Sequence, residues 1–352
     1  MLFIVMLTGR CNLKCLYCGG TIEKSVMPHD VTYNPGDLFD FLNSFRNVSV
    51  AFYGGEPLLR DDLIREIMDS VRAKHFIIQT NGLLLNRLEK EYIRRFSTIL
   101  VSVDGVREVT DYYRNGTYNA TIESVRKISE FFDGELIARM TASQKTDIYR
   151  DVMHILKLDI FTHVHWQIDA VWSNQGVWRD FDGWMLDYSS GVSRLTDRFI
   201  YELKNGKVLR IVPFLGVLKA MLFESNSPPP CESGRESFAV TTDGRIVACP
   251  VVADLEWNWC GDIWNGISRK VEIIDPCPSC RYFRICGGRC LVSNREWFWG
   301  EKGFRDLCSL TAHLIESMKR VKKVALELHD QGMIDIRELY YPRFNNTTEI
   351  IP

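Results

Sequence analysis

The sequence predicts an α/β protein with a parallel sheet, followed by a smaller cysteine-rich α+β unit. In the first half of the chain, six short runs rich in β-branched residues alternate with longer amphipathic stretches. Such alternation gives repeated βαβ units, hence a parallel sheet with right-handed crossovers. Six units are fewer than a closed eight-stranded barrel needs, so a partial barrel or an open doubly wound sheet is expected. Of the eleven cysteines, three lie within the first 18 residues and the other eight follow residue 230, which predicts the second unit.

The individual elements follow from hydrophobic periodicity. The strand candidates are Leu2–Leu7, Val48–Tyr53, His75–Gln79, Ile99–Val103, Glu135–Met140 and Thr162–Ile168. The helix candidates between them, with apolar residues at three- and four-residue steps, are Asp61–Arg72, Arg87–Arg95, Ala120–Phe131 and Thr146–Lys157. Functional loops are expected at the carboxyl ends of the strands.

Beyond the sixth strand candidate the pattern changes. Residues 172–190 hold Trp172, Trp178 and Trp184 among Gly, Ser and Asp, and are expected to form a loop or cover, with tryptophans that clamp a peptide or belong to the core. Helices are expected near Val192–Lys204, Phe214–Phe223 and residues 309–331, and the turn-rich segment 225–230 marks a boundary. The expected domains are a core (1–190), a helical linker (191–227), a cysteine-rich domain (228–310) and a carboxy-terminal helix and tail (311–352).

The composition argues against several classes of partner. The chain of 352 residues has a formal net charge of −2, which gives no long-range attraction to nucleic acid or to an anionic membrane. No apolar run approaches the roughly 20 residues needed to cross a bilayer. The opening MLFIVML is interpreted as a buried strand and not as a secretory signal, because polar and charged residues follow at once. We therefore expect a cytoplasmic protein with no nucleic-acid or membrane partner.

The first three cysteines predict an iron–sulfur site. An odd number of cysteines with tight spacings, in a chain without an export signal, argues for metal ligation over disulfides. Cys11, Cys15 and Cys18 follow the first strand candidate, and three thiolates can hold three irons of a [4Fe–4S] cube, leaving the fourth iron open to a small molecule. Zinc is the alternative, although zinc sites prefer paired C-x₂-C motifs with a fourth ligand nearby, and here the next Cys or His is His29.

The pattern C-x₃-C-x-Y-C at the end of a first strand resembles the signature of the radical S-adenosylmethionine (SAM) superfamily. The resemblance covers residues 1 to about 170 by motif order and implies a partial (β/α)₆ TIM-like barrel as the radical SAM core. It also implies that Tyr17 packs beside the adenine of SAM. Gly54-Gly55-Glu56-Pro57 resembles the family's GGEP motif, whose backbone and Glu meet the SAM amino group.

Three later positions extend the resemblance. Gln79-Thr80-Asn81-Gly82 and Ser102-Val103-Asp104-Gly105 are similar to the family's TNG and S-x-D-G segments. This similarity places Asn81 and Asp104 at the cofactor and Ser102 at its ribose. Arg139, in the fifth strand candidate, is placed like the family's carboxylate-binding Arg, with a surface or salt-bridged Arg as the alternative.

The later cysteines resemble the SPASM extension of radical SAM enzymes, which carries auxiliary clusters. The resemblance implies an outer cluster on Cys277, Cys280, Cys286 and Cys308 and an inner one on Cys231, Cys249 and Cys290. The inner set is one ligand short. Cys260 therefore either completes it or is a small buried thiol, in which case an iron stays open for substrate. Zinc remains an alternative, because C-x₂-C is a common zinc spacing.

The resemblance implies one-electron chemistry. Reductive cleavage of SAM at the first [4Fe–4S] cluster gives a 5′-deoxyadenosyl radical that takes a hydrogen atom from the substrate, and the auxiliary clusters accept an electron or bind the substrate. The expected substrate is a peptide or protein, to be crosslinked, epimerised or oxidised at a side chain. The expected partners are a one-electron reductant such as ferredoxin or flavodoxin and, because the first strand starts at residue 2, a separate leader-peptide-binding protein.

Three other functions stay open: an anaerobic sulfatase-maturase-type enzyme, a tetrapyrrole-modifying enzyme of haem biosynthesis, and a non-catalytic iron–sulfur electron-transfer protein. The GGEP motif and a vacant iron argue against the last, because an electron carrier has no use for an open iron. The sequence does not select a general base. Asp104, Asp169 and Asp243 are candidates, and His163 and His165 are weaker ones.

Overall fold

One sheet of ten strands organises the part of the chain that the computed structural model describes, residues 1–169, 178–224, 228–342 and 352. The strands are β1 (Leu2–Met6), β2 (Ser49–Tyr53), β3 (His75–Thr80), β4 (Phe96–Ser102), β5 (Glu135–Ala142), β6 (His163–Ile168), β7 (Ser237–Val240), β8 (Arg245–Val247), β9 (Trp259–Asp262) and β10 (Gly266–Ile267). Their order is β10-β9-β8-β7-β1-β2-β3-β4-β5-β6. Strands β1 to β6 pair in parallel with their sequence neighbours, which confirms the predicted α/β class.

The described residues form eleven α-helices. They are α1 (Pro35–Asn43), α2 (Asp61–Ser70), α3 (Lys90–Ile93), α4 (Arg107–Tyr113), α5 (Tyr118–Ser129), α6 (Ile148–Leu158), α7 (Phe181–Lys204), α8 (Val212–Leu222), α9 (Phe283–Cys286), α10 (Leu291–Glu296) and α11 (Gly300–Asp330). The long α11 packs along α7 and α8, and α8 packs on β6. Sequence periodicity did not predict α1 and α4. None of the described helices is both long and apolar enough to cross a bilayer.

The loop predicted over 172–190 is wrong from residue 181 onward, where α7 begins. Asp180 caps this helix by accepting a hydrogen bond from a backbone N–H of its first turn. The buried side chains of Trp184 and Tyr188 lie four residues apart and form one apolar face. Gly183, Ser189 and Ser190, which indicated a loop, lie within the helix, where tertiary packing outweighs their low helix propensity.

Trp178 and Trp184 belong to the core and do not form a peptide clamp. Trp178 and Trp184 are buried, and their ring centroids are 4.9 Å apart. Trp299, next to α11, packs against Trp178 at 6.1 Å. Trp172 lies outside the described residues.

The two faces of the parallel strands bury different side chains. Leu2, Ala51, Ile77, Leu100 and Ile137 form a small cluster that is separate from the main core. They come from five successive strands at neighbouring register positions, as one face of a pleated sheet requires. The main core lies between the other face and the helices.

The cysteine-rich region extends the same sheet. Strand β7 pairs in parallel with β1, and β8, β9 and β10 add antiparallel strands beyond it. The start of β8 also holds the loop after β1, because Arg245 Nη2 donates to the carbonyl oxygen of Val26 at 2.9 Å. The domain boundaries predicted after residues 190 and 310 fall inside α7 and α11.

His163 gives a prediction about acid stability. It lies at the start of β6, its ring contacts that of Tyr341, and burial lowers its pKa to about 4. In the unfolded chain a histidine titrates near 6.5, so the unfolded state binds a proton first as the pH falls. We expect the free energy of unfolding to fall by up to about 3 kcal/mol between about pH 6.5 and 4 because of this group.

His163→Gln should remove that part of the acid sensitivity. The measurement is urea unfolding of both proteins at pH 7 and pH 4.5. An equal loss of stability in variant and wild type would contradict the assignment.

Candidate active site

A cavity of about 580 Å³ opens at the carboxyl ends of the parallel strands. Its walls come from the loops after β1, β2 and β3 and from the last residues of β4, β5 and β6. Cysteines of both groups line it: Cys11, Cys15 and Cys18 from the first loop, and Cys231, Cys249 and Cys290 from the carboxy-terminal region. Two groups that are far apart in the sequence therefore face one space.

Most of the predicted cofactor-binding residues line this cavity. They are Tyr17, Gly54, Gly55, Glu56, Asn81, Ser102 and Arg139. Pro57 and Asp104 are not among its lining residues. Pro57 begins the 3₁₀ turn Pro57–Arg60, and Asp104 is buried in an ion pair with Arg114 at 2.8 Å. Cys260 and the outer set, Cys277, Cys280, Cys286 and Cys308, also lie outside the cavity lining.

Gly54 and Gly55 let the loop after β2 pack directly on the loop of the first three cysteines, which we call the cysteine loop (residues 8–20). Gly55 N donates to Thr8 O at 2.9 Å, and Glu56 N donates to Arg10 O at 2.8 Å. A Cβ atom on Gly54 or Gly55 would overlap the carbonyl oxygen of Thr8 or Arg10, respectively. Gly54 also has a φ of 143°, which side-chain-bearing residues rarely adopt. Glycine is therefore required here by close approach of two backbones.

Glu56 connects three of the loops. Its side chain is 1% exposed, and its two oxygens accept hydrogen bonds from Leu58 N, Thr80 Oγ1 and Asn81 N at 3.1, 2.7 and 2.8 Å. Burial raises the pKa of Glu56, and these three hydrogen bonds act in the opposite direction. Asn81 in turn donates to Asn12 Oδ1 at 2.7 Å, which reaches the cysteine loop. An ionised carboxylate has about four acceptor positions, so Glu56 keeps capacity for one further donor in the cavity.

The cysteine loop fits an iron–sulfur cluster by its donors and its place on the cavity. A hydrogen bond between Cys15 and Cys18 lowers the pKa of Cys18 to about 6 and, together with burial, raises that of Cys15. Burial raises the pKa of Cys11. Among the described residues, no three Cys, His, Asp or Glu side chains converge closely enough to hold a single metal ion. In a cube each cysteine binds a different iron, so convergence on one point is not required.

Arg139 projects from β5 beside the cavity, and His165 on β6 holds it. Arg139 Nη1 lies 2.7 Å from His165 Nδ1. Since a guanidinium can only donate, Nδ1 accepts and the ring of the fully buried His165 is neutral with its proton on Nε2. His163 lies at the opposite end of β6 and does not reach the cavity.

None of the three carboxylates considered as a base lines the cavity. Asp104 is fully buried in its ion pair. Asp169 accepts a hydrogen bond from Ser143 Oγ at 2.9 Å. Asp243 holds Arg245 at 2.8 Å within the turn between β7 and β8. Their surroundings give all three a structural role.

The outer cysteines lie near one another around α9. The pKa of Cys286 is raised to about 12 and that of Cys308 to about 11. Burial is the main cause for both thiols, and the neighbouring Cys277 is the second. The backbone N–H of Cys280 donates to Cys277 O at 2.9 Å, so the C-x₂-C segment is a tight turn. This donor set suits a cluster whose ligands must lose their protons on binding iron.

Cys260 behaves as a small buried thiol. It is fully buried within the main apolar core, its Sγ lies 3.5 Å from Asn258 O, and burial raises its pKa to about 11. Cys231, Cys249 and Cys290 instead line the cavity. The geometry therefore favours a three-cysteine inner set.

This difference predicts a contrast in iron content between two variants. Cys260→Ala should retain the wild-type amount of iron and sulfide after anaerobic reconstitution, whereas Cys249→Ala should lose up to about four irons per chain. Chemical analysis of both variants and the wild type is the measurement. Iron loss in Cys260→Ala equal to that in Cys249→Ala would show that Cys260 is a ligand.

Several charged residues that line the cavity were missed by sequence reasoning: Glu23, Arg114, Asp254 and Arg289. Arg289 has a φ of 58°, and its Nε donates to the backbone oxygen of Pro352 at 2.6 Å. Its place within C-G-G-R-C, between two ligand candidates, is a signal that could have found it. Arg114 had no such signal, because nothing in the sequence joins it to the cysteine loop.

Comparison with known proteins shows the family of the amino-terminal half. Residues 5–157 match the radical SAM superfamily. Fe-coproporphyrin III synthase of Methanosarcina barkeri is 33% identical over 131 residues, which cover 35% of this chain and 33% of that protein. A cysteine-type anaerobic sulfatase-maturating enzyme of Clostridium perfringens is 22% identical over 332 residues, 82% of this chain and 88% of that protein. The solved structure of native anSMEcpe with bound AdoMet and Cp18Cys peptide has a TM-score of 0.68 at 20% identity, covering 93% of this chain and 99% of that one.

These matches differ in extent. The chain spans only a third of the length of Fe-coproporphyrin III synthase but most of the sulfatase-maturating enzyme. The likeness to anSMEcpe shows that the fold is shared along nearly the whole chain. The family match runs from β1 into α6 and includes the cysteine loop and the lining segments after β2, β3 and β4. Residues 5–157 therefore form a radical SAM domain, and the enzymes of that superfamily use SAM and a [4Fe–4S] cluster.

Proposed function

We propose that this chain is a radical SAM enzyme that modifies a peptide or protein, with the reaction taking place in the cavity between its two groups of cysteines. The observation that carries the proposal is that Cys11, Cys15 and Cys18 share one cavity with Cys231, Cys249 and Cys290. A substrate between the two groups would lie against both the SAM-binding site and the inner auxiliary site. When bound, SAM and its cluster supply a one-electron cleavage that yields a carbon radical able to abstract hydrogen.

The residues of the chain would divide this work as follows. Cys11, Cys15 and Cys18 would hold the SAM-binding cluster, and the backbone at Gly54–Gly55 and the carboxylate of Glu56 would receive the amino group of SAM. Arg139, held by neutral His165, would present a cation to the SAM carboxylate. The adenine of SAM would lie beside Tyr17, and its ribose would lie at Ser102 and Asn81. The inner cluster would be bound by Cys231, Cys249 and Cys290. The outer cluster would be bound by Cys277, Cys280, Cys286 and Cys308.

The lengths over which this chain matches its relatives support a peptide substrate over a tetrapyrrole substrate. The match to Fe-coproporphyrin III synthase covers 35% of this chain, whereas the match to the sulfatase-maturating enzyme covers 82%. The anSMEcpe structure, in which a peptide is bound, also shares the fold of the carboxy-terminal region that closes the cavity. A sulfatase-maturase-type reaction is therefore the second candidate. The carboxy-terminal region is where substrate choice would be decided, since Cys231, Cys249 and Cys290 line the same cavity as the cysteine loop.

The partners follow from this chemistry. The cleavage consumes an electron, so a reductant such as ferredoxin or flavodoxin is needed. A separate leader-peptide-binding protein remains a prediction, and we place the reaction in the cytoplasm.

The test is to offer two classes of substrate to the reconstituted protein under anaerobic conditions. The probes are synthetic peptides of about 18 residues with a central Cys or Ser, and iron coproporphyrin III. Peptide modification is expected to appear as a mass change in step with 5′-deoxyadenosine formation. A mass change confined to the porphyrin would contradict the peptide assignment and support the tetrapyrrole alternative.

A further inference from the structure

A buried ion pair fastens the cysteine loop to the strands around it. Arg114, the residue that follows α4, donates through Nε and Nη2 to the two oxygens of Asp104 at 2.8 and 2.9 Å. Arg114 is 6% exposed and Asp104 is fully buried. Such a bidentate pair fixes the relative orientation of both groups, and removing one partner would leave an uncompensated buried charge.

Asp104 uses its remaining acceptor capacity on two other elements. The hydroxyl of Tyr17 donates to Oδ2 at 2.9 Å, and the backbone N–H of Thr141 in β5 donates to Oδ1 at 2.9 Å. With the two bonds from Arg114, the carboxylate has four donors, which fills it. Asp104 therefore joins the cysteine loop, the loop after β4, α4 and β5 at one point.

Arg114 and its neighbour also contact the cysteine loop directly. The guanidinium carbon of Arg114 lies 5.3 Å from the centre of the Tyr17 ring. The backbone N–H of Leu16 donates to Tyr113 O at 3.0 Å, and the rings of Tyr17 and Tyr113 are 5.5 Å apart. The residues between Cys15 and Cys18 are thus held by the end of α4.

The charge of Arg114 also lies close to the thiols. Arg114 lines the same cavity as Cys11, Cys15 and Cys18, and its guanidinium stands over the ring of Tyr17, the residue next to Cys18. A buried cation in a region of low dielectric stabilises a negative neighbour more than it would in water. A reduced cluster carries one more negative charge than an oxidised one, so the same cation would favour reduction.

We propose that Arg114 is a positioning residue for the SAM-binding cluster. Arg114 holds Tyr17 through Asp104, and the charge of Arg114 raises the reduction potential of that cluster. The inference rests on the proposed assignment of Cys11, Cys15 and Cys18 to this cluster. A purely structural ion pair would explain a loss of stability on substitution. It would not explain potential shifts of opposite sign when the cation and the anion are neutralised in turn.

The experiment uses the full chain reconstituted with iron and sulfide. The EPR signal of the first cluster is identified as the one that changes on addition of SAM and is absent from the Cys11→Ala/Cys15→Ala/Cys18→Ala variant. Redox titrations follow this signal in Arg114→Gln, Asp104→Asn, Arg114→Lys and Tyr17→Phe. SAM affinity is measured by equilibrium dialysis with the oxidised protein. Arg107→Gln is the control, because Arg107 lies on the same helix with a side chain that is 61% exposed.

Arg114→Gln is expected to make reduction about tenfold less favourable, a fall of about 59 mV for one electron, and Asp104→Asn to shift the potential upward by a similar amount. Arg114→Lys should stay within threefold of the wild type. Tyr17→Phe should leave the potential unchanged and weaken SAM binding three- to tenfold, because it removes only the hydrogen bond that holds the ring. Arg107→Gln should change neither quantity.

Shifts of the same sign in Arg114→Gln and Asp104→Asn, or no shift in either, would overturn the inference while leaving the cluster assignment intact. If either variant fails to take up iron, Arg114→Lys and Tyr17→Phe decide the question. In that case, unchanged SAM affinity in Tyr17→Phe together with a large shift of the reduction potential in Arg114→Lys would overturn the inference about Arg114. A wild type without a SAM-sensitive signal at these cysteines would overturn both the cluster assignment and the inference.

Discussion

Replacing Cys11, Cys15 and Cys18 together by alanine is expected to abolish reductive cleavage of SAM. The three thiols would supply the protein ligands of the SAM-binding cluster, so the variant should lose about four irons per chain and retain the auxiliary sites. The measurement is anaerobic: 5′-deoxyadenosine is quantified after addition of SAM and dithionite, with iron and sulfide analysis of the same samples.

Cys260→Ala is the matched control, because it also removes a thiol but one that lies in the apolar core. It should retain wild-type cleavage. Zinc in place of iron at the cysteine loop of the wild type, or undiminished cleavage by the triple variant, would refute the assignment. No cleavage by a fully iron-loaded wild type, with or without peptide, would favour the electron-transfer alternative.

Gly55→Ala is expected to have the next largest effect. The added Cβ would overlap the carbonyl oxygen of Arg10, so the two loops would have to separate and the hydrogen bonds Gly55 N to Thr8 O and Glu56 N to Arg10 O would weaken. Overpacking of this kind costs about 1–3 kcal/mol. Because the same contacts set the geometry of the cysteine loop, we expect SAM binding to weaken at least tenfold and iron uptake to fall.

The control for this prediction is Gly36→Ala, at the start of α1. Gly36 lies in ordinary helical space, and the nearest atom to an added Cβ is a side-chain oxygen at 3.3 Å. This variant should be neutral or slightly stabilising, since alanine favours a helix over glycine. SAM affinity from equilibrium dialysis and stability from urea unfolding distinguish the two variants. If Gly55→Ala matched Gly36→Ala in both quantities, the close approach of the two loops would have no functional consequence.

The pairing of β7 with β1 explains how one cavity comes to hold cysteines of both groups. Strand β1 leads into the cysteine loop, and β7 follows Cys231 and precedes Cys249. Placing these strands side by side brings the loops at their ends together. The cysteine-rich region is thus an extension of the parallel sheet, with Cys231, Cys249 and Cys290 at the edge where the parallel strands end.

The sequence predicted the parallel strands well because their information is local. Each strand of β1 to β6 lies within two or three residues of its predicted bounds, since buried β-branched runs between amphipathic helices leave few other arrangements. The prediction failed at 181–190, because the residues there are typical of loops and hide the helical spacing of the apolar residues. The helix forms because its apolar face is buried against α11. It also shortened the terminal helix, which begins at Gly300 and not near residue 309.

By itself, the sequence determined the α/β class, the motif order of a radical SAM domain and the identity of the candidate ligands. These depend on contiguous residues, whose spacing is fixed by covalent structure. Only the tertiary structure decided which of these residues share a cavity: it brought the inner cysteines to the cysteine loop, excluded Cys260 and paired Asp104 with Arg114. The physical reason is that such contacts join segments far apart in the chain, and they form only when strand order and the close packing of glycine loops bring those segments together.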